Sequence, residues 1–207
     1  VMVIGRYSLT GAYDASKIIS VGGSNISERK YYKTISGASM DSIIDKKNIS
    51  ENSRVISGNV LTGDQVSLDG FLGFYHHHIS VIPEGNQHKF FLKNGWLSAG
   101  FSSFSASKAY PTWLMSKSKK YDLDTNLNGE ERAFVVSGQY EKVFPFDIYP
   151  VQLLKSIITN DIENMENLGI YEVSPEDFAL CEFVCTSKIN IQEIIREGLD
   201  IIAEECM

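Results

Sequence analysis

The hydrophobic period of this chain changes partway along, and few architectures accommodate that change. Toward the C-terminus, Ile191, Ile194, Ile195, Gly198, Ile201 and Ile202 recur at helical spacing and form one stripe. Asn190-Ile191-Gln192-Glu193 opens this helix with a capping-box glutamate. Ser174-Pro175-Glu176-Asp177 supplies an N-cap, a first-turn proline and two acids near the positive end of a second helix. From Asp147 onward, Ile148, Val151, Leu154 and Ile158 are spaced for one face, and Pro150 fits the first turn.

The first half reads mainly as strands. Ile18 to Gly23 is an apolar run stopped by paired glycines, and Tyr31-Tyr32-Lys33-Thr34-Ile35 is aromatic and β-branched. Arg54 to Leu61 and Tyr75 to Ile82 have strand character, the latter closed by Pro83-Glu84-Gly85. His88 to Leu92 is expected to form a hairpin with it. Val1-Met2-Val3-Ile4-Gly5 reads as a strand already under way, and Ala133 to Val136 as another. Between them, Ser39 to Lys46 predicts a short helix with Ser39 as N-cap and Met40, Ile43 and Ile44 on one face. Gly95 to Tyr121, rich in Ser, Gly and aromatics, has no period and reads as an irregular connector. Strands with one short helix, followed by helices, predict an α+β chain.

With 207 residues the chain can bury one large core or two small ones. No run approaches the roughly 18 to 20 apolar residues of a membrane span, and no secretion signal is visible. Three cysteines, Cys181, Cys185 and Cys206, are too few for a disulfide framework and point to a reducing compartment. The net charge of −7 is unevenly spread: residues 161–207 carry twelve acidic and two basic side chains. Between Gly85 and Tyr121 there is no acid, and lysines interleave with aromatics. Such a segment faces an acidic partner or an anionic surface, or it is a lysine-solvated loop over a half-buried aromatic cluster.

No catalytic, cofactor-binding or metal-ligating residue emerges from motifs. His76 and His78 of the Tyr75-His76-His77-His78 run would share one side of a strand and His77 the other, a poor zinc site. Asp122 to Gly129 resembles a calcium loop, but counting from Asp124 puts Val135 where the bidentate glutamate belongs. It reads instead as an Asx-rich turn. Cys181 and Cys185, one helical turn apart, lack the further ligands that zinc or iron–sulfur chemistry needs and read as two buried structural thiols. There is no nucleotide-binding glycine fingerprint and no nucleophile elbow.

An ordered set of strings carries a family resemblance. It runs from Glu51-Asn52-Ser53-Arg54-Val55-Ile56-Ser57-Gly58-Asn59-Val60-Leu61-Thr62-Gly63 through Phe71-Leu72-Gly73-Phe74-Tyr75-His76 and Ile79-Ser80-Val81-Ile82-Pro83-Glu84-Gly85. It continues with Asn128-Gly129-Glu130-Glu131-Arg132-Ala133 and Tyr140 to Asp147, and closes with Glu176 to Cys185. In order and spacing these resemble the A-subunit family of the sodium-translocating NADH:quinone reductase over nearly the whole chain. The resemblance implies a boundary plan: residues 1–14 as the tail of a Rossmann-like domain, 15–100 a ligand-binding β-grasp domain, 101–128 a connector, and 129–207 a helical domain. It also implies an accessory, non-catalytic piece of an oxidoreductase that passes electrons from NADH to quinone and exports sodium. Relatives with runs of cysteines hold iron–sulfur clusters; here only Cys181 and Cys185 stand in the comparable region, so no cluster and no cofactor is expected in this chain, with quinone entering at the level of the complex. The implied partners are the membrane subunits, chiefly the one with the quinone site, met peripherally on the cytoplasmic side of the cell membrane. Lys89, Lys93, Trp113, Lys117, Lys119 and Lys120 are the candidate docking surface. The alternative is a free-standing β-grasp module for a small ligand or polysaccharide. Nucleic acid is not expected as a partner, given the acidic balance and the lack of a stacking motif.

Overall fold

The computed structural model describes residues 1–86, 98–104, 108, 110–115, 118–134 and 138–205. The chain divides into two compact units, one reaching Phe104 and including Tyr110–Asn126, the other running from Leu127 onward.

The first unit is a five-stranded sheet preceded by a helix. Helix α1 spans Met2–Thr10; strands are β1 (Ser16–Gly22), β2 (Lys30–Ile35), β3 (Ser53–Ser57), β4 (Asp64–Gln65) and β5 (His78–Pro83), with helix α2 (Met40–Ile43) between β2 and β3. The order is β2-β1-β5-β3-β4. The first and last strands pair in parallel at the centre, Ser20 opposite His78 and Gly22 opposite Ser80, and every other pairing is antiparallel. This is the β-grasp arrangement. Alternation brings Ile19, Val21, Val55, Ile79 and Val81 to one face, where Met40, Ile43, Ile44, Ile26, Ala38 and Leu72 close the core. The paired glycines end β1 for a steric reason. Gly23 has φ +131°, and a Cβ there would stand 1.9 Å from the Val81 carbonyl oxygen.

Several boundaries differ from the sequence reading. Val1–Gly5 is not strand but the start of α1, none of whose side chains is buried. The hydroxyls of Ser8 and Thr10 bond back to the carbonyls of Ile4 and Arg6, and Gly11, left-handed at φ 68°, ends the helix with its N–H on Tyr7 O. A short apolar run alone does not fix a period. Strand β3 stops at Ser57 because Gly58 turns to φ +100° and the Asn59 side chain accepts from the N–H groups of Leu61 and Thr62. Strand β5 begins at His78, not Tyr75, since His76 N–H closes a turn onto Gly73 O. Helix α2 is a single turn; Asp45 then caps a 3-10 turn over Lys46–Asn48. Ser39 stands at the N-cap position, but its hydroxyl bonds Asp41 and not the helix backbone. The hairpin expected at His88–Leu92 lies outside the described residues.

The second unit is helical: α3 (Pro150–Ile158), α4 (Ile162–Asn167), α5 (Ala179–Val184) and α6 (Ile191–Glu205). Its core joins Tyr140, Val151, Leu153, Leu154, Ile157, Met165, Ile170, Phe178, Cys181, Cys185, Ile191, Ile195 and Ile202. Pro150 takes the first helical position, and Asn190 Nδ2 donates to Glu193 Oε2 at 2.6 Å where the last helix begins. The capping box of Ser174 and Asp177 forms, yet it opens a 3-10 turn (Pro175–Phe178) that runs into α5. On α3 the buried face is Val151, Leu153, Leu154 and Ile157, and Ile158 is exposed, one step from the predicted stripe. Ala133 and Phe134 belong to no strand; Phe134 stacks on Tyr140 at 6.0 Å, and 135–136 lie outside the described residues.

Candidate interaction surface

At one end of the sheet, the β3–β4 turn and the β4–β5 loop meet around His76. Its Nδ1 lies 2.8 Å from the hydroxyl of Ser57, a residue almost fully buried, and that hydroxyl accepts the Gly73 N–H at 2.9 Å. The imidazole rests against two glycines: a Cβ on Gly58 would meet His76 Cδ2 at 3.1 Å, and one on Gly73 would meet Nδ1 at 2.6 Å. From β1, Lys17 Nζ donates to Phe74 O at 2.5 Å, and burial lowers the pKa of that lysine. Ser80 Oγ donates to Gly58 O at 2.9 Å. Held this way, the loops present Phe71, Phe74, Tyr75 and Val60 to solvent, with Phe74 and Tyr75 edge to face at 5.1 Å. Ser57 is almost fully buried, and the arrangement positions an apolar rim. Motif reading missed this node. Its signal was the glycines Gly58, Gly63 and Gly73, which stand where loop backbone and imidazole approach closely.

Elsewhere on this unit, Arg54 and Glu84 form a two-point ion pair between β3 and the end of β5, with Thr125 donating to Glu84 Oε1 at 2.8 Å. These bonds hold the Glu84 carboxyl below its ordinary pKa, Arg54 first.

Of the lysine–aromatic residues, Trp113 sits on a 3-10 turn (Pro111–Leu114) and is 55% exposed. The turn is tied down by Thr112 Oγ1, which donates to Ser103 O at 2.9 Å. Lys119 does not project freely: its ammonium bonds Phe101 O, lies 3.2 Å from Met115 Sδ and stands 5.5 Å from the Tyr121 ring centre. Lys120 is exposed. Lys89, Lys93 and Lys117 lie outside the described residues. The turn reading of Asp122–Gly129 is supported by Asn126 N–H donating to Asp124 Oδ1 at 3.1 Å.

In the helical unit, Cys181 and Cys185 are both free and buried. The Tyr140 hydroxyl lies 2.9 Å from Cys185 Sγ, and burial pushes the Cys181 thiol up to about 12. Both thiols pack within the core, and Cys206 lies outside the described residues. His76 and His77 precede β5 instead of sharing its alternation, and burial followed by the two neighbouring imidazoles lowers the pKa of His78. Among the described residues no group of three or more His, Cys, Asp and Glu could hold a metal ion.

Residues 18–67 match the family model described as "NQRA C-terminal domain". Over 99% of its length the chain is 39% identical to the A subunit of the Na(+)-translocating NADH-quinone reductase of Rhodopirellula baltica, covering 44% of that protein. It is 37% identical to the corresponding protein of Teredinibacter turnerae and 35% to that of Vibrio campbellii, covering 45% of each. The chain thus spans less than half the length of these relatives, while the likeness runs through both of its units. Along nearly its whole length the chain is therefore similar to the A subunits of Na(+)-translocating NADH-quinone reductases.

Proposed function

We propose that this chain serves within the A subunit of a sodium-translocating NADH:quinone reductase, docking from the cytoplasmic face on the membrane-embedded subunits, chiefly the one that carries the quinone site, and shaping quinone access there. The observation that carries this reading is the identity to reductase A subunits along 99% of the chain. Two features agree with it. Among the described residues no helix is long and apolar enough to cross a membrane, so attachment would run through contact surfaces. The thiols of Cys181 and Cys185 are enclosed in the helical core, which is compatible with an accessory role in which other subunits would carry the electrons. Trp113 and Lys120, with Lys89, Lys93 and Lys117, are the proposed docking residues; Lys119 would hold their segment in shape through Phe101 and Tyr121.

The test is an affinity pull-down of the tagged full-length protein from gently solubilised membranes. Co-recovery of the other reductase subunits with sodium-stimulated NADH:quinone activity is expected. Recovery of the protein alone from the soluble fraction would sink the reading and favour the free-standing binding module.

A further inference from the structure

Strand β2 is an edge of the sheet, and among the described residues no strand pairs with its outer side. Which of its backbone groups stay open follows from the register. Ser36 N–H donates to Ala15 O at 2.9 Å. An antiparallel ladder repeats that bonding every second residue. Thr34, Tyr32 and Lys30, opposite Lys17, Ile19 and Val21, therefore turn their N–H and C=O groups toward β1. Tyr31 and Lys33 turn theirs outward, as does Ile35 its N–H, while the Ile35 carbonyl accepts Ala38 N–H at 3.2 Å.

The same three residues place their side chains on the face of the sheet opposite the core. Tyr31 is 79% exposed and Ile35 58%, with Lys33 between them. Behind Lys33 stands its cross-strand neighbour Ile18, 66% exposed. An edge lysine ordinarily discourages strand addition. Here, however, it sits between two large apolar side chains and before a third. That pattern discriminates among incoming strands instead of blanking the edge.

We propose that the free edge of β2 accepts an extended segment of a partner protein in which apolar, acidic and apolar residues alternate, the acid falling opposite Lys33. The segment would add a sixth strand, its backbone bonding Tyr31, Lys33 and Ile35. Its apolar side chains would cover Tyr31 and Ile35, and its carboxylate would pair with the Lys33 ammonium. This inference stands on the edge alone and does not depend on the reductase reading.

The probe is an end-blocked nonapeptide with isoleucine, glutamate and valine at alternate central positions. Two controls accompany it: one with lysine in place of the glutamate, one with the inward backbone nitrogens methylated. Fluorescence anisotropy with the full-length chain gives the dissociation constants, and amide shifts report where the peptide sits. The glutamate peptide is expected to bind and shift the amides of Tyr31, Lys33 and Ile35. Its affinity should fall roughly fivefold on Lys33→Glu, a change on an exposed position that leaves the circular dichroism unaltered, while the lysine peptide gains. The methylated peptide should not bind. Absence of binding by the glutamate peptide, undiminished binding of the methylated one, or indifference to Lys33→Glu would each overturn the proposal. So would edge amides already protected from exchange in the free protein, which would assign the edge to a second copy of the chain or to an intramolecular contact.

Discussion

His76 is held by its neighbours so closely that single atoms around it have predictable weight. Ser57→Ala removes the hydroxyl that joins His76 Nδ1 to the Gly73 N–H and leaves a half-buried donor unanswered. We expect a loss of about 1–3 kcal/mol, read as a lower urea midpoint with an unchanged slope. The buried thiol of Cys181 gives a pH prediction. Its ordinary value is 9.0 and the fold raises it to about 12, so between those values the folded chain keeps a proton that the unfolded chain has lost. Stability should therefore be unaffected below about pH 9 and fall as pH climbs from there toward 12; burial raises the Tyr140 hydroxyl in the same direction. Melting followed by helical circular dichroism at pH 7, 9 and 10.5 checks the sign, and a rising melting temperature would refute it. Only one of these two nodes was legible beforehand. Burial of Cys181 and Cys185 could be read from their spacing, but the imidazole contact with Ser57 joins residues nineteen apart through a loop that no period describes.

Among the elements, helix α6 and helix α3 meet where Gly198 lies under Ile157. A Cβ at Gly198 would stand 2.8 Å from both Cδ1 and Cγ1 of Ile157. Gly198→Ala, ordinarily a helix-favouring change, should here cost about 1–3 kcal/mol by overpacking. Paired with Ile157→Val, the cost should shrink, and equal losses with and without the second change would contradict this contact. That junction also explains what sequence reading resolved and what it did not. The stripe of α6 and the cap at Ser174 are local signals, and they set those positions correctly. The α3 stripe correctly placed Val151 and Leu154 in the core and Ile148 against it, but its last position, Ile158, is exposed while Leu153 and Ile157 are buried. Strands β1 and β2 were readable from their apolar and aromatic runs. The end of β3 was not, because Gly58 and Asn59 turn the chain by backbone geometry that hydrophobicity does not report. Helix α1 was missed since its apolar residues mark no buried face.

For the molecule as a whole, charge and similarity point beyond the chain itself. The double variant Trp113→Ala with Lys120→Glu alters exposed positions, so it should leave the melting temperature within about 1 °C while lowering co-purification of the membrane subunits severalfold. Undiminished co-purification would remove this segment from the docking surface. The sheet, for its part, places its last strand in the middle. Strand β5 lies between β1 and β3, so without residues 78–83 the unit consists of two separate antiparallel pairs. During synthesis, then, residues 16–65 can leave the ribosome complete and still possess no continuous sheet. Closure awaits the arrival of β5 and must join partners some sixty residues apart, the kind of long-range step that slows folding. Nascent chains arrested before His78 should be digested rapidly by protease, and those extended well past Pro83 should resist, so the order of emergence makes the innermost strand the timing element of the whole β-grasp unit.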